Sequence, residues 1–530
     1  MYIGGLDIGT TGCKFTVFDE KGSMAARAYQ DYPVRRRTNA HEVDAGAILE
    51  GVYSVIAQLA GQYPDIAGIG ITSFGETFVV TDDSGEPLYP CMLYTDPRGS
   101  EQVRELCEKI DPVRAAEISG VKPHEMYSLP KLMWLKEHRP AIYGKAGHVF
   151  LMEDFVVFHL TGQRMIDYSL AARTMGFDLR RLTWSEELFA AAGIDQSLMS
   201  EPVPTGTLAG VVTAKAAEKT GLSPDTRIVC ISHDQVAAAV GAGVFSSDTA
   251  VDGAGTVECI TPVYDGIPDM EVMTRGNFAV VPYAIPGKYV CYAFSYTGGA
   301  LMQWCTDTLA GKEKELAAEQ KISVHEYLER EYARMHEDRE GAAGTGRKEE
   351  AVRTEHAQDD ANEQDGPELP PSGLLVLPHF AGAATPYMDT GSKGAILGLT
   401  TESTAADIYR GCMEGVVYEM LLNMEWLRPS GIHFRKLHAT GGGARSAEWM
   451  QMKADMLDME ITALETADAG TVGSAMLTGI AVGIFRDPED AAKVMVRKVR
   501  TYRPRKRMHE LYMQKYAAYA QVYQAVRRFM

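Results

Sequence analysis

The chain lacks several patterns that would assign it early to a class of protein. Its 52 Lys and Arg residues against 71 Asp and Glu give a net charge of −19, which argues against nucleic-acid binding through a basic surface. No run of 18 apolar residues is present, so no transmembrane helix is expected. The N-terminus lacks the basic and apolar regions of a signal peptide. No G-x-x-x-x-G-K-[ST] sequence occurs, which excludes a Walker A phosphate loop.

Cysteine is present but never in a C-x-x-C pair. The eight cysteines are scattered between residues 13 and 412. This spacing disfavours both a zinc site and a disulfide framework. It fits best the buried, reduced thiols of a cytoplasmic protein.

The composition that remains is that of a globular protein. Hydrophobic residues make up 45% and charged residues 23% of 530 residues, a length that suggests more than one domain. The pattern predicts strands at residues 2–6, 15–18 and 25–33, a helix capped by Asp44, and a strand at residues 66–72. Three meander strands followed by a helix and another strand predict a mixed α/β layer.

The turn at residues 7–14 joins the first two predicted strands. It offers backbone amides, the hydroxyls of Thr10 and Thr11, and the ammonium of Lys14, with the carboxylate of Asp7 at its root. Such a set suits phosphate held by amides and a hydrated Mg²⁺ held by the carboxylate. The same residues also fit a plain β-hairpin whose glycines adopt positive φ and whose Asp7 caps the turn.

Further polar residues of the first half interrupt apolar strands or turns. Glu76 occupies a short bend between two predicted strands. Asp96 and Arg98 flank a proline and are placed to reach a polyhydroxylated ligand, or else form a local ion pair in a surface turn. Asp234 follows a buried strand at 228–231 and precedes a small-residue helix, the place where ligands collect in open α/β sheets. Its alternative role is a helix N-cap. We expect few titratable neighbours around Asp234 and assign no role to His233.

A second half begins near Val244. Residues 250–260 repeat the order strand, Gly/Thr turn, strand, and Gly298-Gly299 precedes a further helix. Three glycines at 441–443 join a strand to a helix, where backbone can approach a ring or a phosphate and a helix N-terminus favours an anion. Residues 470–479 predict a tightly packed small-residue helix. The C-terminal helix carries a stripe of aromatic residues at helical spacing: Tyr512, Tyr516, Tyr519 and Tyr523.

Two other segments complete the predictions. Residues 337–368 contain eleven acidic and four basic residues with almost no apolar side chain. Such a segment cannot offset its ordering entropy by burial, so we predict a mobile surface insertion. Residues 167–178 are predicted to be strand-like and to end in a turn.

In order and spacing, these motifs resemble the FGGY family of carbohydrate kinases along the whole chain, apart from the acidic insertion. The resemblance implies an α/β protein of two actin-like (ribonuclease H-like) domains with a central cleft. Residues 1–244 would form the sugar-binding domain and residues 245–530 the nucleotide-binding domain. The implied cofactors are ATP and Mg²⁺, and the implied partners are a sugar or polyol and a second copy of the chain in a homodimer.

The resemblance also implies a role for each matching residue. Asp234 would be the catalytic base, and Asp7 would be catalytic through Mg²⁺, which it would position through water. The implied sugar-binding residues are Glu76, Thr77, Asp96, Arg98 and Gln235. The implied nucleotide-binding residues are Thr10, Thr11, Gly12, Lys14, Gly255, Thr256, Gly299, Gly443 and Ala444.

Two departures from the family pattern narrow the choice of the sugar or polyol that would accept the phosphoryl group. Gly75 stands where glycerol kinases carry an arginine, and Ser73-Phe74-Gly75 stands where xylulokinases usually carry Met-His. We therefore expect an ATP-dependent kinase acting on a hydroxyl of a ketose or polyol, with a pentulose such as xylulose or a deoxyhexulose favoured. The alternatives are a glycerol or polyol kinase and a catalytically silent actin-like nucleotide-binding regulator.

Overall fold

The structure is a computed structural model that describes residues 1–343, 368–466 and 468–530. Within these ranges, the first half of the chain builds a six-stranded mixed sheet around apolar strands. Burial of Leu6, Phe15 and Ile71 on the same sheet explains why these segments are extended and not helical. In spatial order its strands are Thr207–Val211, Arg227–His233, Ile66–Ser73, Tyr2–Ile8, Gly12–Asp19 and Met24–Asp31.

The second half builds a sheet of eight described strands. In spatial order they are Val281–Pro282, Lys288–Val290, Glu258–Asp265, Thr249–Ala254, Lys436–Thr440, Glu460–Leu464 and Lys498–Tyr502, while Ala293–Ser295 also pairs with Glu258–Asp265. The order and direction match those of the first sheet. In each, a first strand pairs antiparallel with the second and parallel with a later strand, and an antiparallel strand closes the far edge. The predicted repeat of topology is therefore confirmed.

Helices cover the sheets and mostly begin at identifiable caps. Asp44 accepts a hydrogen bond from the backbone N–H of Ala47, as predicted for the start of the first helix. The helices of the first half are Ala45–Ala60, Ser100–Lys109, Pro112–Ser119, Ser128–His138, Pro140–Tyr143, Met152–Thr161, Tyr168–Ala172, Glu186–Ala192, Ala214–Thr220 and Asp234–Gly241. Those of the second half are Met270–Arg275, Gly299–Leu309, Gly311–Gln320, Val324–Ala343, Ala405–Leu427, Ala447–Leu457, Ala469–Ala481, Pro488–Met495 and Lys506–Val526.

The strand prediction for residues 167–178 is wrong over most of its length. Asp167 ends the short strand Met165–Asp167, and its carboxylate then accepts hydrogen bonds from the N–H groups of Ser169 and Leu170. Those bonds start the helix Tyr168–Ala172, because they satisfy donors that a first helical turn leaves free. Only Phe177–Asp178 returns to a strand.

A pair of helices joins the two halves. Helix Ala469–Ala481 of the second half packs on helix Asp234–Gly241 and on the first sheet. A Cβ added at Gly473 would lie 1.9 Å from the carbonyl oxygen of Ala237, and one added at Gly241 would lie 1.9 Å from that of Ala469. Only glycine allows this approach of two backbones. The predicted tight packing of the small-residue helix is confirmed.

Other predictions can be compared with the described residues. The C-terminal helix Lys506–Val526 buries all four tyrosines of its stripe, as predicted. The eight cysteines are free, and only Cys107 is not fully buried. Helix Val324–Ala343 covers the start of the predicted acidic insertion, and residues 344–367 of that prediction lie outside the described residues. Among the described helices, none combines the length and hydropathy needed to cross a membrane.

Candidate active site

Asp7 and Lys14 face each other across the first two strands. They are direct cross-strand partners, and Lys14 Nζ lies 3.2 Å from Asp7 Oδ2. Lys14 Nζ also donates a 2.5 Å hydrogen bond to Asp468, the residue before helix Ala469–Ala481. Burial would lower the pKa of Lys14, but the two carboxylates together raise it above its usual value. This cluster of three residues, the Lys14 cluster, thus holds a charged ammonium where the two halves meet.

The turn between these strands is a tight hairpin. The backbone N–H of Gly9 donates to the carbonyl of Gly12 at 2.9 Å, which leaves Thr10 and Thr11 at the tip. A Cβ on Gly12 would lie 2.8 Å from the backbone carbonyl oxygen of Gln30, so close packing requires this glycine. The hairpin interpretation is correct in outline but wrong in two details. Neither Gly9 nor Gly12 adopts positive φ, and Asp7 lies inside its strand without capping the turn.

Asp234 lies at the same end of the first sheet as Asp7, where the parallel strands finish. Strand Arg227–His233 runs parallel to Ile66–Ser73, which runs parallel to the strand of Asp7. Asp234 is the first residue of helix Asp234–Gly241, and the cap is His233, whose side chain accepts from the N–H of Gln235. His233 therefore has the capping role that the sequence analysis denied it, and Asp234 does not serve as the N-cap.

The carboxyl group of Asp234 has a pKa near neutral pH. Its buried Oδ1 makes no hydrogen bond with a described residue, although His233 Nδ1 lies 3.3 Å away. Burial, with the nearby carboxylates of Asp7 and Glu76, raises the pKa of Asp234 to about 7. Burial and the charge of Arg173 hold the pKa of His233 well below its usual value, so that ring is neutral. The expectation of few titratable neighbours is wrong, because parallel strands bring three acids to one edge.

Glu76 is held by an arginine that the sequence analysis passed over. Arg173 donates from Nε to Glu76 Oε1 at 2.5 Å and also from Nη2. The guanidinium lies 5.2 and 5.3 Å from the ring centroids of Tyr127 and Tyr292. Cation–π contacts with two rings restrict its movement. Arg173 lies in the segment 167–178, whose sequence also resembles the FGGY family, and that resemblance is the signal that could have singled it out.

Close packing explains the residue before Glu76. A Cβ on Gly75 would lie 2.9 Å from the ring of His233 and 3.1 Å from Arg173 Cβ. An arginine side chain at position 75 therefore has no room in this arrangement. Thr77 is fully buried beside it, and its hydroxyl has no hydrogen-bond partner among the described residues.

Asp96 and Arg98 form the ion pair that the sequence analysis gave as an alternative. Asp96 accepts from the backbone N–H groups of His41 and Arg98 and from the guanidinium of Arg98. Arg98 also donates to Glu42 at 2.8 Å and lies 5.0 Å from the ring centre of Trp134. Both charged groups are thus engaged within the protein.

In the second half, three glycine turns meet at the end of strand Thr249–Ala254. The N–H of Gly299 donates to the carbonyl of Gly255 at 2.8 Å, and that of Gly298 donates to Thr256 at 2.9 Å. A Cβ on Gly441, whose φ is 90°, would lie 2.5 Å from the carbonyl of Ala254. The nearby Gly443 and Ala444 begin a short 3₁₀ turn. The structure therefore brings the predicted nucleotide-binding residues of this half together.

A second ammonium, which the sequence analysis missed, comes from helix Ala447–Leu457 and contacts the sheet that carries these turns. Lys453 Nζ donates to Asp252 at 2.6 Å and to Glu258, and all three side chains are at most 2% exposed. Asp252 and Glu258 belong to the two strands on either side of the Gly255–Thr256 turn. We call these three residues the Lys453 cluster. Burial and Asp252 raise the pKa of Glu258 despite Lys453.

The sequence of both halves matches one family. Residues 2–241 match the N-terminal domain, and residues 271–482 the C-terminal domain, of the FGGY family of carbohydrate kinases. The chain is 25% identical to a xylulose kinase of Lactococcus lactis, over 98% of this chain and 96% of that protein. It is 26% identical to a gluconokinase of Bacillus subtilis, over 93% of this chain and 90% of that protein.

Solved structures agree on the fold. The xylulose kinase from Rhodospirillum rubrum superposes with a TM-score of 0.83 at 23% identity, covering 100% of this chain and 99% of the other. The glycerol kinase of Plasmodium falciparum with ADP gives a TM-score of 0.79 at 19% identity, covering 99% and 98%. The predicted α/β architecture of two actin-like domains is confirmed.

Proposed function

The chain belongs to the FGGY family of carbohydrate kinases, phosphotransferases with an alcohol group as acceptor, and on that premise we propose that it phosphorylates a hydroxyl of a ketose. A pentulose such as xylulose is the favoured acceptor, since several of its relatives are xylulose kinases. The observation that carries the proposal is Asp234, a carboxylate with a free buried oxygen and a pKa of about 7, at the sheet edge that also carries Asp7.

We propose Asp234 as the general base. A sugar hydroxyl is a poor nucleophile and loses its proton as the phosphoryl group is transferred. A base with a pKa close to the working pH is both deprotonated and basic enough to accept that proton. Oδ1 of Asp234 is free to do so, because no described residue donates a hydrogen bond to it.

The Lys14 cluster supports a phosphate site. Lys14, the hydroxyls of Thr10 and Thr11, and the amides up to Gly12 supply donors for the β- and γ-phosphates of ATP. Asp7 offers carboxylate oxygens, the ligands that Mg²⁺ prefers, and a buried oxygen of the adjacent Asp468 accepts no hydrogen bond from a described residue. These residues fit a hydrated Mg²⁺, which Asp7 would hold and which would neutralise phosphate charge. The described residues contain no group of three or more His, Cys, Asp or Glu that would bind a metal without phosphate.

The remaining predicted residues divide between the two substrates. We propose that Gly255, Thr256, Gly299, Gly443 and Ala444 line the nucleotide, because the three glycine turns leave backbone accessible to a flat ring. For the sugar we propose Glu76, Thr77 and Gln235, with Arg173 fixing Glu76. Asp96 and Arg98 are proposed to act on the sugar through the shape of their turn, since their charges are already paired.

The two alternative functions, glycerol kinase and silent regulator, would require different residues. A glycerol kinase of this family would carry an arginine at position 75, where close packing leaves no space for one. A silent nucleotide-binding regulator has no need of a free carboxylate at position 234. A domain boundary near residue 244 and assembly as a homodimer remain proposals.

The test is sugar-dependent release of ADP from Mg·ATP over a panel of ketoses, aldoses and polyols. We expect a pentulose to stimulate release most strongly. If no sugar or polyol stimulates ADP release by the purified protein, the kinase proposal is wrong.

A further inference from the structure

A tyrosine of the second half contacts the residue beside the proposed base. Tyr292 lies between strands Lys288–Val290 and Ala293–Ser295, and its hydroxyl oxygen is 3.1 Å from Nδ1 of His233. The two buried rings pack together, with their centroids 5.2 Å apart. Tyr292 therefore connects the second half to the strand end that carries Asp234.

The hydrogen bonds of His233 decide which of its ring nitrogens carries the proton. Nδ1 accepts from the backbone N–H of Gln235 at 3.4 Å, and because a backbone amide can only donate, Nδ1 must carry a lone pair. Tyr292 is then the donor of the 3.1 Å hydrogen bond. Burial and the charge of Arg173 hold the pKa of His233 well below its usual value, so the ring is neutral. A neutral imidazole has one N–H group, which in this ring is on Nε2.

This tautomer affects the neighbouring carboxylate. Oδ1 of Asp234 lies 3.3 Å from the same Nδ1. If the proton moved to Nδ1, His233 could donate a hydrogen bond to Asp234. A hydrogen bond to a carboxylate favours its charged form and lowers its pKa, and so weakens it as a base.

We propose that Tyr292 is a positioning residue for phosphoryl transfer, whose hydroxyl holds His233 in the Nε2–H tautomer and so prevents it from donating to Asp234. The inference rests on the proposed function only in taking Asp234 as the base. Because Tyr292 and His233 belong to different halves, the hydrogen bond between them requires the halves to keep this arrangement. The basicity of Asp234 is thereby coupled to the contact between the halves.

The variant Tyr292→Phe removes the hydroxyl and keeps the ring that lies 5.3 Å from the guanidinium of Arg173. The other titratable and charged groups around Asp234 and His233 stay in place: Asp7, Glu76, Tyr94, Arg173 and Cys259. Burial raises the pKa of Tyr94 and that of Cys259, so neither becomes charged near neutral pH. A change in the pH profile of the variant therefore reports on His233 and Asp234.

Nuclear magnetic resonance of the full chain labelled with ¹⁵N-histidine measures the tautomer directly. Long-range ¹H–¹⁵N spectra distinguish protonated from unprotonated ring nitrogens, and His233→Asn identifies the signals of His233. We expect the proton on Nε2 in the parent protein and on Nδ1 in Tyr292→Phe. A proton on Nδ1 in the parent, or the same tautomer in both proteins, would overturn the proposal. The spectra need no substrate, so a failure of the kinase proposal would not affect this result.

Steady-state kinetics test the consequence for the base. In Tyr292→Phe, kcat/KM for the best acceptor at pH 8 should fall about tenfold, the size expected for one hydrogen bond to a charged group. The acid limb of its pH profile should move about one unit lower, while the KM for ATP stays unchanged. Tyr264→Phe is the matched control, because it removes a buried hydroxyl that donates to the carbonyl of Val290. We expect it to leave the rate and the profile unchanged.

A double variant tests whether Tyr292 acts through His233. Asparagine at position 233 can still cap the helix but has no imidazole tautomer for Tyr292 to select. Adding Tyr292→Phe to His233→Asn should therefore cost about twofold or less in kcat/KM, since the two changes act on one pathway. A further tenfold loss, or an acid limb that does not move in Tyr292→Phe alone, would contradict the proposal.

Discussion

The two halves repeat one topology but place their charges differently. In each half, a helix follows the strand that pairs with the closing antiparallel strand: Arg227–His233 in the first half and Glu460–Leu464 in the second. An acid stands at the start of each helix: Asp234 is the first residue of one, and Asp468 directly precedes the other. Asp468 is bound by Lys14 at 2.5 Å and lies 3.3 Å from Arg27. Asp234 lies within ion-pair distance of no lysine or arginine among the described residues, and its one such neighbour is the neutral ring of His233 at 3.3 Å. The acid at the helix start thus has two cations beside it in the second half and none beside it in the first.

The Lys14 cluster and the Lys453 cluster differ in their exposure to solvent. Each places one lysine between two carboxylates beside the turn of the first two strands of its half. The side chains of the Lys14 cluster are 15 to 24% exposed, whereas those of the Lys453 cluster are at most 2% exposed. A charge that reaches solvent can exchange partners with an incoming phosphate, and a fully buried one cannot. The comparison therefore separates a binding cluster from a structural one.

The largest effect is expected at the free acid. Asp234→Asn keeps the shape of the side chain and removes its basicity, so kcat should fall by about 10²–10⁴-fold with little change in stability. The equivalent change, Asp468→Asn, should cost about tenfold or less, because it loosens Lys14 without removing the base. Steady-state kinetics with the best acceptor and thermal melting give both values. Similar losses in the two variants would mean that the halves do not differ as described.

A smaller effect is expected where the halves join. Gly473→Ala places a Cβ 1.9 Å from the carbonyl of Ala237, so the two helices must separate. We expect a loss of about 1–3 kcal/mol in the free energy of unfolding, despite the better helix propensity of alanine. Gly311→Ala is the matched control, because an added Cβ there meets nothing within 4 Å. Denaturant unfolding that ranks the two variants equally would contradict the close helix pairing.

The effect of pH on kcat/KM should be smaller still over the physiological range. Burial and the charges of Asp7 and Glu76 raise the pKa of Asp234 to about 7, so the base is protonated below that pH. We expect kcat/KM to fall about tenfold for each pH unit below 7 and to level off above it. A profile that stays flat down to pH 5.5 would remove Asp234 from the role of base.

The sequence predicted local features such as strands, turns and helix caps. It did not predict contacts between residues that are far apart in the chain. Strand, turn and strand at residues 2–18, the cap at Asp44 and the small-residue helix at 470–479 follow from periodicity and turn chemistry, and the structure has them. The partner of Lys14 does not follow, because Asp468 is 454 residues away in the chain. Arg173 and Lys453 were missed for the same reason: a buried cation is recognised by its partners, which only the fold brings together.

The most direct test of the comparison measures two lysine variants side by side. Lys453→Met leaves two buried carboxylates without their cation and should cost about 3–5 kcal/mol of stability. Lys14→Met, in a partly exposed cluster, should cost about 1 kcal/mol or less, yet raise the KM for ATP about tenfold. We expect this crossed pattern in denaturant unfolding and ATP kinetics. It would be contradicted if Lys14→Met unfolded the protein while Lys453→Met left stability intact, or if Lys14→Met left the KM for ATP unchanged.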